Sequence, residues 1–154
     1  VRKLAHIAGG GTLEMGSREE KIVVYTDGGA RGNPGPAAVG IIIGDKKYGN
    51  YIGERTNNQA EYEAVIFALK KLKQLSGKKK SKELEVEIRM DSELVVKQLG
   101  GEYKIKEPEL KPLFVDVWNL KMNFKGIEFV YVPREKNRAA DRIVNEVLDE
   151  KARA

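Results

Sequence analysis

The alternation of apolar and polar residues predicts five β-strands. The candidate strands, each rich in β-branched or alternating apolar residues, lie at residues 22–26, 38–44, 46–53, 84–90 and 127–132. Only short links separate the first three, with a hairpin turn expected at Asp45-Lys46, and links of this kind join antiparallel strands. The fourth segment alternates apolar with charged side chains, which is typical of a strand with one exposed face.

Four further segments have the pattern of helices. They lie at residues 57–75, 92–99, 107–124 and 137–151. Thr56 or Asn57 can cap the first helix, and Pro108 lies in the first turn of the third. We expect the third helix to bury Trp118, which lies among apolar neighbours. The order β-β-β-α-β-α-α-β-α predicts an α/β fold in which helices flank a mixed sheet.

Length and composition predict one globular domain. The chain has 154 residues, of which 41% are hydrophobic and 33% charged, which is enough for a buried core. We expect the domain to occupy residues 21–154. Residues 1–20 have the composition of an N-terminal extension, tag or linker, because three consecutive glycines form a flexible hinge there.

The content of cysteine and histidine narrows the possible chemistry. The absence of cysteine excludes disulfide scaffolds, thiolate metal sites and cysteine nucleophiles. His6 is the single histidine and lies in the N-terminal segment, so acid–base or metal chemistry has to come mostly from carboxylates.

Charge and hydropathy restrict the partners and the location. The net charge of +5 favours a polyanionic partner, nucleic acid first. No apolar run approaches the roughly 18 residues of a membrane span, and the first residues are too polar for a signal peptide. We therefore expect a cytoplasmic protein without a membrane partner, acting as a monomer.

Four carboxylates lie where a purely structural acid would be unfavourable. Asp27 ends the first predicted strand, before a Gly-rich loop, and Asp91 ends the fourth, where α/β sheets form their sites. Glu61 and Asp141 share helical stripes with apolar residues and therefore face the core. Burying a lone charge is costly, and with no histidine beside these acids a divalent cation is the natural partner.

The four acids favour a hard cation, because oxygen-only ligand sets suit Mg²⁺ or Mn²⁺. Two such ions a few ångströms apart can activate a water and stabilise a leaving oxygen in phosphoryl chemistry. Any one of the acids could instead be a helix cap, a turn residue or a favourable charge at a helix N-terminus. As a set of four in a basic chain, they predict phosphodiester hydrolysis.

Four motifs resemble those of the ribonuclease H family, type I. They are YTDGGARGNPGPAAVGIII, TNNQAEYEAVIFAL, MDSELVV and VPREKNRAADRIV, in the order of the family, and the similarity covers about residues 21–151. The resemblance implies a five-stranded mixed sheet of three antiparallel and then two parallel strands, flanked by helices. It also implies cleavage of the RNA strand of RNA/DNA hybrids by a two-metal-ion mechanism, with 5′-phosphate and 3′-hydroxyl products.

By this resemblance the acids are the metal ligands and the catalytic residues. Asp27 would bridge both ions. Asp27 and Asp141 would hold the ion that activates the water, and Asp27, Glu61 and Asp91 would hold the ion on the leaving-group side. Mg²⁺ is the expected cofactor, with Mn²⁺ as a substitute.

Substrate contacts are expected around the site and on one distant loop. The candidate residues are Gly28, Gly29, Asn33, Thr56, Asn57, Asn58, Gln59, Tyr103 and Arg134. The asparagines match family positions that contact the minor groove and the RNA backbone, and Gln59 is next to two of them. Thr56 matches a pocket for a DNA phosphate, which a hydroxyl at a helix N-terminus suits. The glycines would let the backbone approach the strand closely.

The loop before Asp141 departs from the best-known branch of the family. That branch has a histidine there, whereas the sequence VPREKNRAAD has none and resembles the archaeal and plant-like branch. Arg134 and Glu135 are the nearest ionisable residues. A guanidinium does not deprotonate at working pH, so Arg134 is expected to contact phosphate rather than to act as a base.

The chain also lacks the basic protrusion of the best-known members. Tyr103, with Lys104 and Lys106, lies where that protrusion would begin, so its ring can pack on a sugar or base or can simply cover a core edge. The lysines at 78–80 and Lys82 allow two interpretations, a solvated loop or a phosphate contact.

Two other functions stay open on the sequence. One is a binding module of the same fold with an inactive site, although all four acids are present. The other is a different polynucleotidyl transferase, such as an integrase or a junction resolvase, although the first two motifs favour ribonuclease H. Cleavage of double-stranded RNA beside the hybrid is left open as well.

Overall fold

The computed structural model describes the backbone of Lys3–His6 and Thr12–Met15 and the whole of residues 21–154. Within these residues seven strands form one sheet: β1 (Lys3–His6), β2 (Thr12–Met15), β3 (Ile22–Ala30), β4 (Gly35–Ile43), β5 (Lys46–Arg55), β6 (Glu85–Met90) and β7 (Gly126–Tyr131). The last five correspond to the five strands that the sequence predicts.

The central strand of this sheet is β3. Strand β4 pairs with it in antiparallel fashion and β5 pairs with β4 in the same way, so these three form the predicted meander. On the other side of β3, residues 22–25 pair in parallel with residues 86–89 of β6, and β6 pairs in parallel with β7. The order β5-β4-β3-β6-β7 confirms the mixed sheet of three antiparallel and two parallel strands.

Helices cover both faces of the sheet. Five α-helices lie within residues 21–154: α1 (Asn57–Ser76), α2 (Lys78–Ser81), α3 (Glu93–Leu99), α4 (Lys111–Lys121) and α5 (Arg138–Arg153). Short 3-10 helices at Pro108–Leu110 and Arg134–Lys136 precede α4 and α5. No helix in the described part of the chain is both long and apolar enough to cross a membrane.

The alternation of side chains along β4 separates two cores. Odd-numbered residues from Val39 to Ile43 belong to the main core under α1. Ala38 points to the opposite face and packs against Val144 of α5. Gly40 also lies under α5, where a Cβ would overlap with the carbonyl oxygen of Ala140. Helix α5 therefore lies directly on the sheet, which brings its first turn close to β3.

Asp27 lies inside β3, and the expectation that it ends the strand is wrong. The strand continues to Ala30, and Asp27 pairs with Gly40 of β4. Gly28 keeps the strand regular where α1 begins, because a Cβ there would overlap with the carbonyl oxygen of Ala60. The glycines after Asp27 thus serve close packing of strand and helix, and the loop is confined to residues 31–34.

The turn between β4 and β5 is shifted by one residue from the expected Asp45-Lys46. It is formed by Gly44 and Asp45. Gly44 has a φ of 63°, a left-handed conformation that glycine adopts without steric cost. The sequence pattern placed the hairpin correctly but not the residue with the unusual backbone angle.

Trp118 is exposed, so the expectation that it packs in the core is wrong. Its exposed fraction is 53%; Val115 on the same side of α4 and Met122 directly after the helix are exposed by 52% and 69%. Val117 is the buried residue of α4. The helix itself is shorter than residues 107–124, because its first predicted turn is the 3-10 helix Pro108–Leu110.

The lysines at residues 78–80 lie in the short helix α2 rather than in a loop, and Lys82 follows it. All four of these lysines are exposed. Their interpretation as a phosphate contact stays a prediction.

The strands β1 and β2 form an antiparallel hairpin, and Met15 pairs with Ile22 of β3. The predicted hinge at the three consecutive glycines lies outside the described residues. The assignment of residues 1–20 as an extension, tag or linker stays a prediction.

Candidate active site

The four predicted acids lie on four different elements. They are Asp27 in β3, Glu61 in the second turn of α1, Asp91 directly after β6 and Asp141 in the first turn of α5. Because β3 and β6 are adjacent and parallel, their later residues meet at one edge of the sheet. A Cβ at Gly28 would overlap with the first turn of α1, and a Cβ at Gly29 would lie 3.5 Å from the Cγ1 of Val144 in α5. Both helix starts are thus held beside Asp27.

The acids converge on one cavity. Carboxylate oxygens of Asp27, Glu61 and Asp91 lie within 4.8 Å of one another. The carboxylate of Asp141 lies beside Asp27 and can accept a hydrogen bond from the protonated Asp27 carboxyl group. All four acids line a cavity of about 340 Å³ that opens to solvent.

Burial and repulsion between neighbouring charges raise the pKa values of Asp27, Glu61 and Asp91 in the absence of a cation. Burial, followed by the charges of Asp91, Asp141 and Glu61, raises the pKa of Asp27 from 3.8 to about 8. Burial likewise raises the pKa of Glu61 from 4.5 to about 7, against a hydrogen bond from Ser92 that lowers it. The pKa of Asp91 is also raised, chiefly by burial.

This arrangement fits a hard divalent cation. Every potential ligand atom is a carboxylate oxygen, and three of the groups are close enough to share one ion. The raised pKa values of Asp27 and Glu61 mean that holding all these carboxylates ionised requires compensating positive charge. A cation in the cavity would supply it.

Asn137 is a residue of the site that the sequence reasoning missed, since it was assigned only as a helix start. Its side chain is 1% exposed, and its Nδ2 donates to the carbonyl oxygen of Thr26 at 2.9 Å. The same amide hydrogen-bonds to Asp91 and lowers the pKa of that acid. The one available signal was its spacing of one helical turn from Asp141, which places both on one face of α5.

Ser92 likewise proves to be more than a helix cap. Its Oγ accepts a hydrogen bond from the backbone N–H of Val95 at 3.2 Å, which caps α3. Its hydroxyl also hydrogen-bonds to Glu61. The cap therefore fixes the orientation of one of the clustered acids.

Arg134 lines the cavity, and its predicted contact with a phosphate stays a prediction. It is exposed, and its charge lowers the pKa values of Glu61 and Asp91. Its guanidinium can meet a phosphate oxygen bound at the same place.

Two predicted substrate residues, Asn33 and Asn57, accept hydrogen bonds from backbone N–H groups beside the cavity. The Oδ1 of Asn33 accepts from the backbone N–H of Asn57 at 3.0 Å, and the Oδ1 of Asn57 accepts from the backbone N–H of Ala30 at 2.9 Å. Their Nδ2 groups form no hydrogen bond within residues 21–154 and remain available as donors. Gly28 and Gly29 also line the cavity.

Thr56 and Gln59 form a reciprocal cap on α1. The Thr56 Oγ1 accepts from the backbone N–H of Gln59 at 3.1 Å, and the Gln59 Oε1 accepts from the backbone N–H of Thr56 at 2.8 Å. The Thr56 hydroxyl keeps its own proton for a phosphate. Asn58, between them, is half-buried.

Tyr103 lies outside the cavity that holds the acids. It lines a separate groove of about 450 Å³ with Lys104 and Lys106. The ring is 47% exposed, with the Nζ of Lys97 5.2 Å from its centroid. The structure therefore presents the ring on a loop instead of packing it in a core.

The chain matches known proteins over most of its length. The Reverse transcriptase-like family model matches residues 25–147. The "Ribonuclease HI" of Halobacterium salinarum is 40% identical over 139 residues, which cover 86% of this chain and 67% of that protein. The "Bifunctional protein Rv2228c" of Mycobacterium tuberculosis is 37% identical, and this chain spans 37% of its length.

Solved structures give the same result. LC11-RNase H1, a protein isolated from compost, has been solved as a crystal structure in complex with an RNA/DNA hybrid. Its sequence is 50% identical to this chain, the TM-score is 0.80, and the match covers 84% of this chain and 98% of that chain. The RNase H1 of Halobacterium salinarum is 40% identical with a TM-score of 0.76, covering 84% and 98%. These matches show that the chain belongs to the ribonuclease H family.

Proposed function

We propose that this protein hydrolyses the RNA strand of RNA/DNA hybrids in a metal-dependent reaction that leaves 5′-phosphate and 3′-hydroxyl ends. The observation that carries the proposal is the convergence of three carboxylates within 4.8 Å, in a cavity that Asp141 also lines. The relative LC11-RNase H1, which is 50% identical, was solved with an RNA/DNA hybrid, and this supports the same substrate here.

The cofactor that we propose is Mg²⁺, with Mn²⁺ as a substitute. Asp27, Glu61 and Asp91 would hold it through carboxylate oxygens, and Asp141 would complete the set. Two bound ions supply a nucleophilic water and stabilise the leaving oxygen in hydrolysis of this type.

The residues around the acids would bind and orient groups rather than transfer protons. Arg134 faces the acids and would orient a non-bridging phosphate oxygen, since its guanidinium is a permanent donor. Ser92 and Asn137 hold Glu61 and Asp91 in place by hydrogen bonds. None of these residues has to act as a general base.

Recognition of the hybrid would come from the loop beside the cavity. The free Nδ2 groups of Asn33 and Asn57 can donate to base-edge acceptors and to 2′-hydroxyl oxygens in the minor groove. Thr56, at the N-terminus of α1, would receive a phosphate of the DNA strand. These contacts depend on the shape of the hybrid and not on its base sequence.

Three further assignments belong to this proposal. The protein would act as a monomer, because one chain supplies all four acids. The cytoplasm is the proposed location, in agreement with the absence of cysteine. Double-stranded RNA is a possible second substrate, because it shares the 2′-hydroxyl groups of the RNA strand.

Cleavage of end-labelled duplexes tests the proposal directly. An RNA/DNA hybrid, a double-stranded RNA and a DNA duplex of one sequence are incubated with the protein in Mg²⁺, in Mn²⁺ and in EDTA. We expect the RNA strand of the hybrid to be cut in metal and not in EDTA, with fragments that carry 5′-phosphate. An intact hybrid in both metals, or cleavage of the DNA strand, would contradict the proposed function.

A further inference from the structure

A basic groove adjoins the cavity that holds the acids. It has a volume of about 520 Å³ and is lined by Arg134, Glu135, Arg138, Asp141, Arg142 and Asn145. Arg134, Asp141 and Asn145 also line the cavity of the acids, so the two depressions are continuous. A strand bound at the acids can therefore extend into the groove.

Arg138 and Arg142 give this groove its charge. Both are exposed and lie one helical turn apart at the start of α5. Neither forms a hydrogen bond or an ion pair with any residue that the structure describes, although Glu146 follows Arg142 by one turn. Arg31, at the edge of the cavity, contrasts with them, because its Nη2 lies 2.7 Å from the Oδ1 of Asp149.

The position of these arginines is unfavourable for the folded protein alone. Cations in the first turns of a helix oppose the positive end of its dipole, and like charges one turn apart repel each other. Each arginine also presents several N–H donors that are best satisfied by a planar or tetrahedral oxyanion. A ligand with repeated negative charge would relieve both costs.

We propose that Arg138 and Arg142 bind backbone phosphates of the RNA strand beside the scissile phosphate. This inference rests on the proposed function and adds a contact surface to it. The RNA strand is the expected occupant because it is the strand held at Asp141, and the groove continues from Asp141 along α5. The groove thus compensates for part of the basic protrusion that the chain lacks.

The test compares two double variants with the same change in net charge. Arg138→Gln/Arg142→Gln removes the proposed contacts. Lys151→Gln/Arg153→Gln removes two cations from the other end of α5, roughly 20 Å away along the helix axis. Hybrid cleavage is measured as KM and kcat, and hybrid binding in EDTA is measured by fluorescence anisotropy at several KCl concentrations.

We expect the Arg138/Arg142 variant to raise KM several-fold at about 0.1 M salt with little change in kcat. Its plot of log affinity against log salt should lose about one unit of slope for each arginine. Its melting temperature should be equal to or above that of the wild type, because the removed charges oppose the helix dipole. The Lys151/Arg153 variant should keep the wild-type slope and KM.

Two results would overturn the inference while leaving the function intact. In the first, the wild type cuts the hybrid, and the Arg138/Arg142 variant has the same KM and the same salt slope as the wild type. The other is an equal loss of slope in both variants, which would show a general charge effect. A wild-type protein that fails to cut the hybrid would instead refute the proposed function itself.

The choice of strand is tested separately. Single neutral methylphosphonate linkages are placed in the DNA strand, or in the RNA strand next to 2′-O-methyl nucleotides that keep the linkage stable. We expect a neutral linkage in the RNA strand near the cut to weaken wild-type binding and to have little further effect in the Arg138/Arg142 variant. A response to DNA-strand linkages alone would overturn the assignment to the RNA strand.

Discussion

The Nδ2 of Asn137 donates a hydrogen bond of 2.9 Å to the carbonyl oxygen of Thr26, the residue that precedes Asp27. Asn137 also hydrogen-bonds to Asp91, and its backbone carbonyl accepts from the N–H of Asp141 at 3.1 Å. One buried side chain and its backbone therefore connect β3, the end of β6 and the start of α5. Asn137 thereby contacts the segments that carry three of the four acids.

The substitution Asn137→Asp tests this connection. It keeps the size of the side chain but replaces the donor Nδ2 with a buried oxygen beside Asp91. We expect kcat to fall by about 10–100-fold, as for residues that orient metal ligands, with a smaller change in KM. The free energy of unfolding should fall by about 1–3 kcal/mol, because an acceptor then faces the Thr26 carbonyl.

Asn123→Asp provides the matched control. The Nδ2 of Asn123 also donates to a backbone carbonyl, that of Leu120, at 3.2 Å, but after α4 and away from the acids. This variant should keep the wild-type kcat. An Asn137→Asp protein with unchanged kcat and a full loss of stability would show that Asn137 serves the fold alone.

The substitution Asp27→Asn should abolish cleavage while the fold is retained. Removal of one ligand from the cluster should lower the cleavage rate by at least about 100-fold in Mg²⁺. The metal-free variant should melt at a higher temperature than the wild type, because the repulsion from Asp91, Asp141 and Glu61 is relieved. Asp116→Asn, at an exposed position of α4, should change neither property. Near-normal hybrid cleavage by Asp27→Asn would contradict the assignment of the site.

The stability of the metal-free protein should depend on pH through the same acids. Asp27 has a pKa of about 8 in the folded protein against an ordinary value of 3.8, and Glu61 has about 7 against 4.5. Acids with a raised pKa bind more protons in the folded state than in the unfolded state. Their contribution to the free energy of unfolding is therefore fully present below about pH 4 and is lost as the pH rises to about 8.

Thermal melts in EDTA across this range, for the wild type and Asp27→Asn, isolate the effect. As the pH rises from about 5 to about 8, the free energy of unfolding of the variant should increase relative to that of the wild type by an amount on the order of a few kcal/mol. Addition of Mg²⁺ at pH 8 should stabilise the wild type more than the variant, because a ligand of the folded state raises its stability. A constant difference between the two proteins at every pH would contradict the raised pKa of Asp27.

The sheet and the four acids could be predicted because local chemistry determines them. Strand residues such as Val86 and Ile88 alternate with charged neighbours, and the acids stand out against apolar stripes. The extent of β3 could not be predicted, because glycines after Asp27 are typical of a loop. Pairing with β4 and the close approach of Gly28 to α1 keep the strand regular, and both depend on distant segments.

Trp118 and Asn137 show a second reason for differences between sequence and structure. Apolar residues occupy both sides of α4, so periodicity identifies the helix but does not select its buried face. Val117 packs inward and Trp118 outward, which only tertiary packing decides. Asn137 has the composition of an ordinary helix start, and its role becomes visible only when β3 and β6 are placed beside it.

The last prediction concerns Tyr103. Its ring is 47% exposed beside Lys104 and Lys106, and the Nζ of Lys97 lies over the ring and 3.4 Å from the phenol oxygen. Held in this way, the ring can pack on a sugar or base while the lysines meet phosphates. Tyr103→Ala should therefore weaken hybrid binding by about 1–3 kcal/mol, the size of a stacking contact. KM should rise more than kcat falls, because substrate and transition state share the contact.

Trp118→Ala is a matched control for this substitution. Trp118 is 53% exposed on α4 and has the Nζ of Lys121 5.3 Å from its ring, so it reproduces the arrangement of Tyr103 and Lys97 without lining either groove. We expect Trp118→Ala to leave KM unchanged and Tyr103→Phe to restore most of the binding that Tyr103→Ala loses, since stacking needs the ring and not the hydroxyl. Melting temperatures should barely change in any of the three variants. A large drop in the melting temperature of Tyr103→Ala with an unaltered KM would identify Tyr103 as a packing residue instead.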